Sequence, residues 1–294
     1  MALIPAIVAS LWLFGLNSLR ILGLTIVTSV ALEYTINLLI SSRDAVWNWN
    51  SVVYAVILAF FMPYNAPWWL IVVGCVIMIL GGKSLFGGLG AYPVHPAALS
   101  YTILLVSWRD RFDYTGSLIS LDWGTRMIEP MRQIKTLGAG AESLLDLPAL
   151  FLGKQAAGIG NALIIYLLIG GLLLLLLRQV RWHIPVAFLL GVAVTSTFLQ
   201  FVAPSSVATP LLQLLSGSVV FAAFFIATDY TTSPVHPIPM LIYGFLGGMI
   251  VVLIRSFGAD IDGAAFAILL INLCTPLLDR IAPKVRGVEA ATHA

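Results

Sequence analysis

Ile164-Ile165-Tyr166-Leu167-Leu168-Ile169-Gly170-Gly171-Leu172-Leu173-Leu174-Leu175-Leu176-Leu177 carries no charge and ends only at Arg178. A strand of a membrane barrel would alternate apolar and polar side chains at every second position. This run does not alternate, so it reads as a helix in lipid. With Gly158 to Leu163 ahead of it, it approaches the ~20 apolar residues needed to cross a bilayer.

Similar runs recur on both sides. Candidate spans fall near 2–16, 19–41, 51–63, 66–82, 95–108, 158–177, 183–203, 210–228, 237–254 and 263–282. Of 294 residues, 60% are hydrophobic and 10% charged, against roughly 25% charged in a soluble domain, and mean hydropathy is +1.00. These values exclude a soluble enzyme, a nucleic-acid binder and a disordered chain. The fold class is an all-α polytopic membrane protein of about ten transmembrane helices, and its environment is the lipid bilayer. A net charge of +2 supplies no basic field for nucleic acid. Met1 leads straight into apolar residues without a basic segment, so this stretch reads as a first span and not a signal peptide.

The two ends of the chain echo one another. Ser51-Val52-Val53-Tyr54-Ala55 returns as Ser218-Val219-Val220-Phe221-Ala222. Lys83-Ser84-Leu85-Phe86-Gly87 returns as Arg255-Ser256-Phe257-Gly258. His95-Pro96-Ala97-Ala98-Leu99 returns as Asp262-Gly263-Ala264-Ala265-Phe266. The order is kept, which predicts two five-helix repeats, 1–108 and 158–282. Between them lies a polar loop, 109–157, and after them a tail, 283–294. The third and eighth spans each end in a break, Met62-Pro63-Tyr64-Asn65 and Thr228-Asp229-Tyr230. Interrupted helices in matching places of two halves point to a binding site in transport folds. Residues 127–138 are expected to form a short helix within the loop.

Arg20 and Arg255 are the cations of the odd-numbered short loops. Arg43, Lys83, Arg178, Arg181, Arg280, Lys284 and Arg286 fall in even-numbered loops and the tail. The positive-inside rule then places both termini in the cytoplasm and 109–157 outside. Trp47, Trp49, Trp68, Trp69, Trp108 and Trp182 sit near span ends, where amphipathic rings prefer the interface. Cys75 and Cys274 lie in apolar runs and are too few for a four-cysteine iron–sulfur site. The histidines form no metal-ligand pattern.

Several polar groups fall at membrane depth. Glu33, inside the second span, must pair, line water or stay protonated. It marks either an ion path or a structural pair with a cation at another span's end. Asp229 ends the eighth span among Thr228, Thr231 and Thr232 and suits a cation or a helix cap. Gly87, Gly88 and Gly90 allow close approach to a planar ligand or an anion nest, and a tight helix crossing explains them equally. Lys83 and Arg255 can meet a phosphate or snorkel to headgroups.

Several of these stretches together resemble a known family. They are Phe86-Gly87-Gly88-Leu89-Gly90, Pro93 with Pro96-Ala97-Ala98, Arg181-Trp182-His183-Ile184-Pro185, Leu215-Ser216-Gly217, Phe224-Phe225-Ile226-Ala227-Thr228-Asp229, and Ile254 to Gly258 with Asp262-Gly263. They look like the RnfD/NqrB family. Its members are membrane subunits of Rnf-type electron transport complexes and of the related sodium-pumping NADH:quinone reductase. The resemblance covers about 3–287. It implies ten helices in two repeats in a bacterial inner membrane. It implies a complex whose other subunits carry iron–sulfur clusters and flavin, and which couples electron transfer to Na⁺ or H⁺ translocation. On this resemblance Glu33 and Asp229 belong to the ion path, and Lys83, Gly87, Gly88, Gly90, Thr228, Asp229, Thr231 and Arg255 border a flavin.

The family also attaches FMN by a phosphoester to a threonine in an (S/T)-x-A-T-P-L pattern. Here the matching stretch is Arg126-Met127-Ile128-Glu129-Pro130-Met131, with Glu129 at the threonine's place. A carboxylate cannot make that ester, and Thr125 lies outside the pattern. The chain therefore either binds FMN or riboflavin non-covalently or has given up its flavin. Tyr92 and His95 also depart from the family, which favours Asn at both, as does Tyr230 from its usual proline. Two alternatives stay open: a small-solute channel or transporter, and a structural subunit of a divergent redox complex.

Overall fold

A computed structural model describes residues 1–39, 49–112, 114, 129–204 and 207–281. The tail 283–294, Trp47, Thr125, Arg126, and the loop and tail cations Arg43, Lys284 and Arg286 lie outside the described residues. The chain is helical throughout its apolar runs.

The first two expected spans are two helices that run on into one another across a kink at Gly15, together labelled α1 (Ile4–Leu39). The residues between them contain no proline, and only Gly15 leaves helical geometry, at φ 58 and ψ −140. That region is open to glycine, and Ser10 and Ser18 clasp across the kink at 2.5 Å. α2 (Asn50–Phe61) stops where Met62 turns extended, as a residue before proline does. α3 (Trp68–Val76) widens into π turns over Ile77–Lys83 and closes with a 3₁₀ turn, Ser84–Phe86, at the left-handed Gly87. α4 (Pro96–Ser107) begins with proline at its first position and with His95 Nδ1 accepting from the Ala98 amide.

The polar loop contributes α5 (Pro130–Leu137) and α6 (Leu147–Phe151). α5 buries Met131 and Ile134 against Leu150, Ala208 and Leu212, a small core apart from the main one. Then follow α7 (Ile164–Leu176), α8 (His183–Val202), α9 (Pro210–Leu215), α10 (Val219–Phe221, widening into π turns over Ala222–Ile226), α11 (Pro237–Phe257) and α12 (Ala264–Leu278). α11 lies directly on α8, because Gly191, Gly244 and Gly248 leave room only for the facing backbone. This is small-residue packing as in membrane helix pairs.

The third and eighth spans both end at the expected breaks, at Met62 and after Ile226, but they differ in between. The eighth span is interrupted in its middle, where Ser216 is extended and Gly217 has φ 61, while α2 runs unbroken to its proline stop.

Five helices are long and apolar enough to cross a membrane, and three shorter apolar ones accompany them among the described residues. Large apolar side chains such as Leu16, Leu176 and Phe201 point outward. The connections sort to two ends. At one end Arg20 donates to Ala66 O, Tyr114 to Phe61 O, and Arg109 to Ala259 O. At the other, Tyr92 meets Thr231, and Arg181 donates to Val235 O. Odd and even connections thus alternate, as a chain threading back and forth requires.

Candidate functional site

Glu33 is paired. Lys83 Nζ lies 2.5 Å from its carboxylate and 3.3 Å from Ser51 Oγ in the first turn of α2. Both side chains are largely buried. The π turns that close α3 carry Lys83 to this position.

Arg255 sits at the opposite end, on the last turn of α11. Its Nε donates to Asp262 O at 2.8 Å. Nη1 donates to Gln213 O and Gln213 Oε1, and Nη2 to Ser216 O and Asp262 Oδ1. A guanidinium has five N–H donors, and these acceptors take all of them. The carbonyls of Gln213 and Ser216 are those left open where α9 breaks off. Across the gap, Asp262 accepts from the Ser218 amide at 3.1 Å and from its hydroxyl, capping α10. Buried Gln155 closes the remaining gap, donating to Leu215 O and accepting from the Gly217 amide at 3.0 Å. The Arg255–Asp262 pair therefore replaces the hydrogen bonds of one missing helical turn.

Asp229 lies where the two halves of the chain meet. Tyr54 Oη from α2 is 3.3 Å from its Oδ1, and Thr232 Oγ1 is 3.3 Å from Oδ2. Tyr92 and Tyr54 hydrogen-bond through their hydroxyls, and Tyr92 Oη is 2.9 Å from Thr231 Oγ1. Among the described residues no lysine or arginine forms an ion pair with Asp229.

The residues expected to border one flavin are therefore not gathered in one place. Asp229 and Thr231 share a network. Lys83 belongs to Glu33, and Arg255 is at the far end. Gly87, Gly88 and Gly90 form a left-handed surface turn, and Thr228 bonds back to Phe224 O at 2.7 Å.

Glu129 lies at the central-loop end, 3.3 Å from Arg132 Nε. Both border a cavity of about 320 Å³ together with Tyr101, Phe112, Tyr114, Arg109, Asp260 and Asp262. Its rings form a cluster: Tyr101 stacks on Phe61 with centroids 4.3 Å apart and meets Phe112 edge-on. Beside it, Lys135 donates to Gly258 O and Asp260 O, holding the loop between α11 and α12. Burial pushes the Asp260 carboxyl up and the Lys135 ammonium down, as expected for charges moved out of water.

Residues 1–287 match the NQR2, RnfD, RnfE family. The chain belongs to that family. It is 38% identical over 310 residues to the D-type subunit of the ion-translocating oxidoreductase complex of Vibrio cholerae, covering 94% of this chain and 89% of that one. It is 37% identical over 280 residues to the D-type subunit of the Na(+)-translocating ferredoxin:NAD(+) oxidoreductase complex of Acetobacterium woodii, covering 95% and 85%. Against the D-type subunit of the ion-translocating oxidoreductase complex of Escherichia fergusonii it is 34% identical over 325 residues, covering 98% and 92%. The expected family and multi-pass membrane character are thereby met.

Tyr54, Gln155 and Gln213 were not among the residues the sequence singled out, and Tyr92 stood out only as a departure from the family pattern. One signal for Tyr54 was present: it is the polar member of the Ser51–Ala55 echo, whose partner in the second half is Phe221.

Proposed function

We propose that this chain is the membrane-embedded D-type subunit of an Rnf-type complex that couples electron transfer to Na⁺ or H⁺ movement. The observation that carries this reading is the family match along nearly the whole chain. It is joined by a half-buried carboxylate, Asp229, set between the two halves without a lysine or arginine partner among the described residues. Glu33 and Asp229 are its acidic groups on the ion path. Both lie toward the end that the positive-inside rule assigns to the cytoplasm, with both termini there, in a bacterial inner membrane. The echoed segments support two five-helix repeats, 1–108 and 158–282. Partner subunits bring the iron–sulfur clusters, the flavin that feeds them and the electron-donor site.

Covalent FMN does not fit the residues present. Glu129 offers no hydroxyl, and its carboxylate lines the cavity where the ester would form. That cavity has aromatic walls for a planar ring and the guanidinium groups of Arg109 and Arg132. Asp260, Asp262 and Glu129 add negative charge that opposes a phosphate. A non-covalent flavin without phosphate, riboflavin, suits this lining better than FMN. A bound flavin supplies one-electron transfer; the chain's part is to hold the ring and exclude water.

The test is an absorbance spectrum of the purified complex before and after acid precipitation, with a denaturing gel viewed for flavin fluorescence. The expected result is no fluorescent band at this subunit's mass. A fluorescent band would overturn the account of Glu129. A purified chain that passes solutes through liposomes, without redox partners, would favour the channel alternative.

A further inference from the structure

The Asp229 network is a row of oxygens, each bonded to the next: Thr231, Tyr92, Tyr54, Asp229. Each hydroxyl has one proton to donate, so the row has two self-consistent settings. With Asp229 ionised, Tyr54 donates to the carboxylate, Tyr92 to Tyr54 and Thr231 to Tyr92, a setting that turns over the contact seen here, in which Tyr92 donates to Thr231. With Asp229 neutral every bond reverses, and Tyr92 donates to Thr231.

We propose that this row is a proton relay, and that the ion handled at Asp229 is H⁺. The inference rests on the reading of the chain as an ion-moving subunit and names the ion. One step balances as follows. Thr231 takes up a proton from outside, and its own passes to Tyr92. The proton of Tyr92 passes to Tyr54, and that of Tyr54 to the carboxylate. Each O–H bond broken is matched by one formed, and no redox partner is needed.

The surroundings agree. Thr231 is half-buried beside the exposed Tyr230, which gives the row a wet end. Thr232 holds the other carboxylate oxygen, so Asp229 cannot swing away from Tyr54 without losing a bond. The remaining titratable neighbours are engaged or neutral. Tyr243 donates to Asn272 Oδ1 at 2.6 Å. His95, edge-on to Tyr54, uses Nδ1 to accept from the Ala98 amide, which leaves its proton on Nε2. A bare metal cation instead needs several oxygens converging with free lone pairs, and these oxygens are occupied with one another.

The experiment uses the complete complex in proteoliposomes, with a pH-sensitive dye and radioactive sodium uptake followed side by side during electron transfer. Wild type is expected to move protons and no sodium. Tyr54→Phe keeps the ring and removes the link, so proton movement per electron should fall by about a hundredfold while electron transfer persists. Thr231→Ala should do the same and Thr231→Ser should restore it. If Tyr54→Phe fails to assemble, Tyr92→Phe reads the same link. Sodium uptake by the wild type, unchanged in Tyr54→Phe, would overturn the relay and leave the ion-pump reading standing. Movement of neither ion would overturn that reading itself.

Discussion

Lys83 and Arg255 occupy echoed places in the two halves, yet they do different work. Lys83 meets one carboxylate and one hydroxyl beside an unbroken helix. Arg255 meets carbonyls, an amide oxygen and a carboxylate across a helix that has lost a turn. A lysine ammonium is a compact charge that suits the first task. The second needs a planar fork of donors, which only arginine provides. The echo in sequence therefore marks a shared position, and the choice of cation reports whether the neighbouring helix is whole.

The contrast can be broken from either side. Arg255→Met should cost the most, about 5 kcal/mol, because it takes the counter-charge from Asp262 and the donors from the carbonyls of Gln213 and Ser216. Lys83→Met should cost about 3 kcal/mol, since only Glu33 loses its counter-charge. Thermal unfolding of the purified complex in detergent measures both. Equal losses would show that the broken helix does not depend on Arg255.

Glu33→Gln sharpens the functional side of the comparison. The complex should still assemble, because Gln accepts from Lys83, while ions moved per electron fall. Unchanged coupling would remove Glu33 from the ion path and leave it as a structural pair. The smallest effect is expected for Ser51→Ala, about 1 kcal/mol, the worth of a single hydrogen bond. A loss as large as that of Lys83→Met would mean that the hydroxyl, and not the carboxylate, holds the lysine.

The apolar runs made the helical fold legible, since continuous hydrophobicity leaves few alternatives in lipid. The breaks were less legible. Gly15 kinks α1 where no proline announces it, and the interruption at Ser216-Gly217 depends on Arg255, Asp262 and Gln155, which are distant in sequence. The site divided in the same way. Glu33 and Asp229 stood out because isolated charge at membrane depth demands an explanation. Their partners did not, because tyrosines in apolar helices look like packing until the fold brings Tyr54 and Tyr92 to the carboxylate. Arg255, expected beside a flavin, proved committed to protein acceptors, because its role is set by a helix gap that local sequence does not display.

The segment that follows the central loop has one more consequence. Ile159, Gly160 and Asn161 donate their main-chain amides to Met62 O and Phe60 O at the end of α2. A side chain at 158 or 160 would collide with Phe60 and Phe61. The first half is thus stitched to the second by peptide groups, with glycines as the only requirement on identity. Such a seam tolerates drift on both its banks.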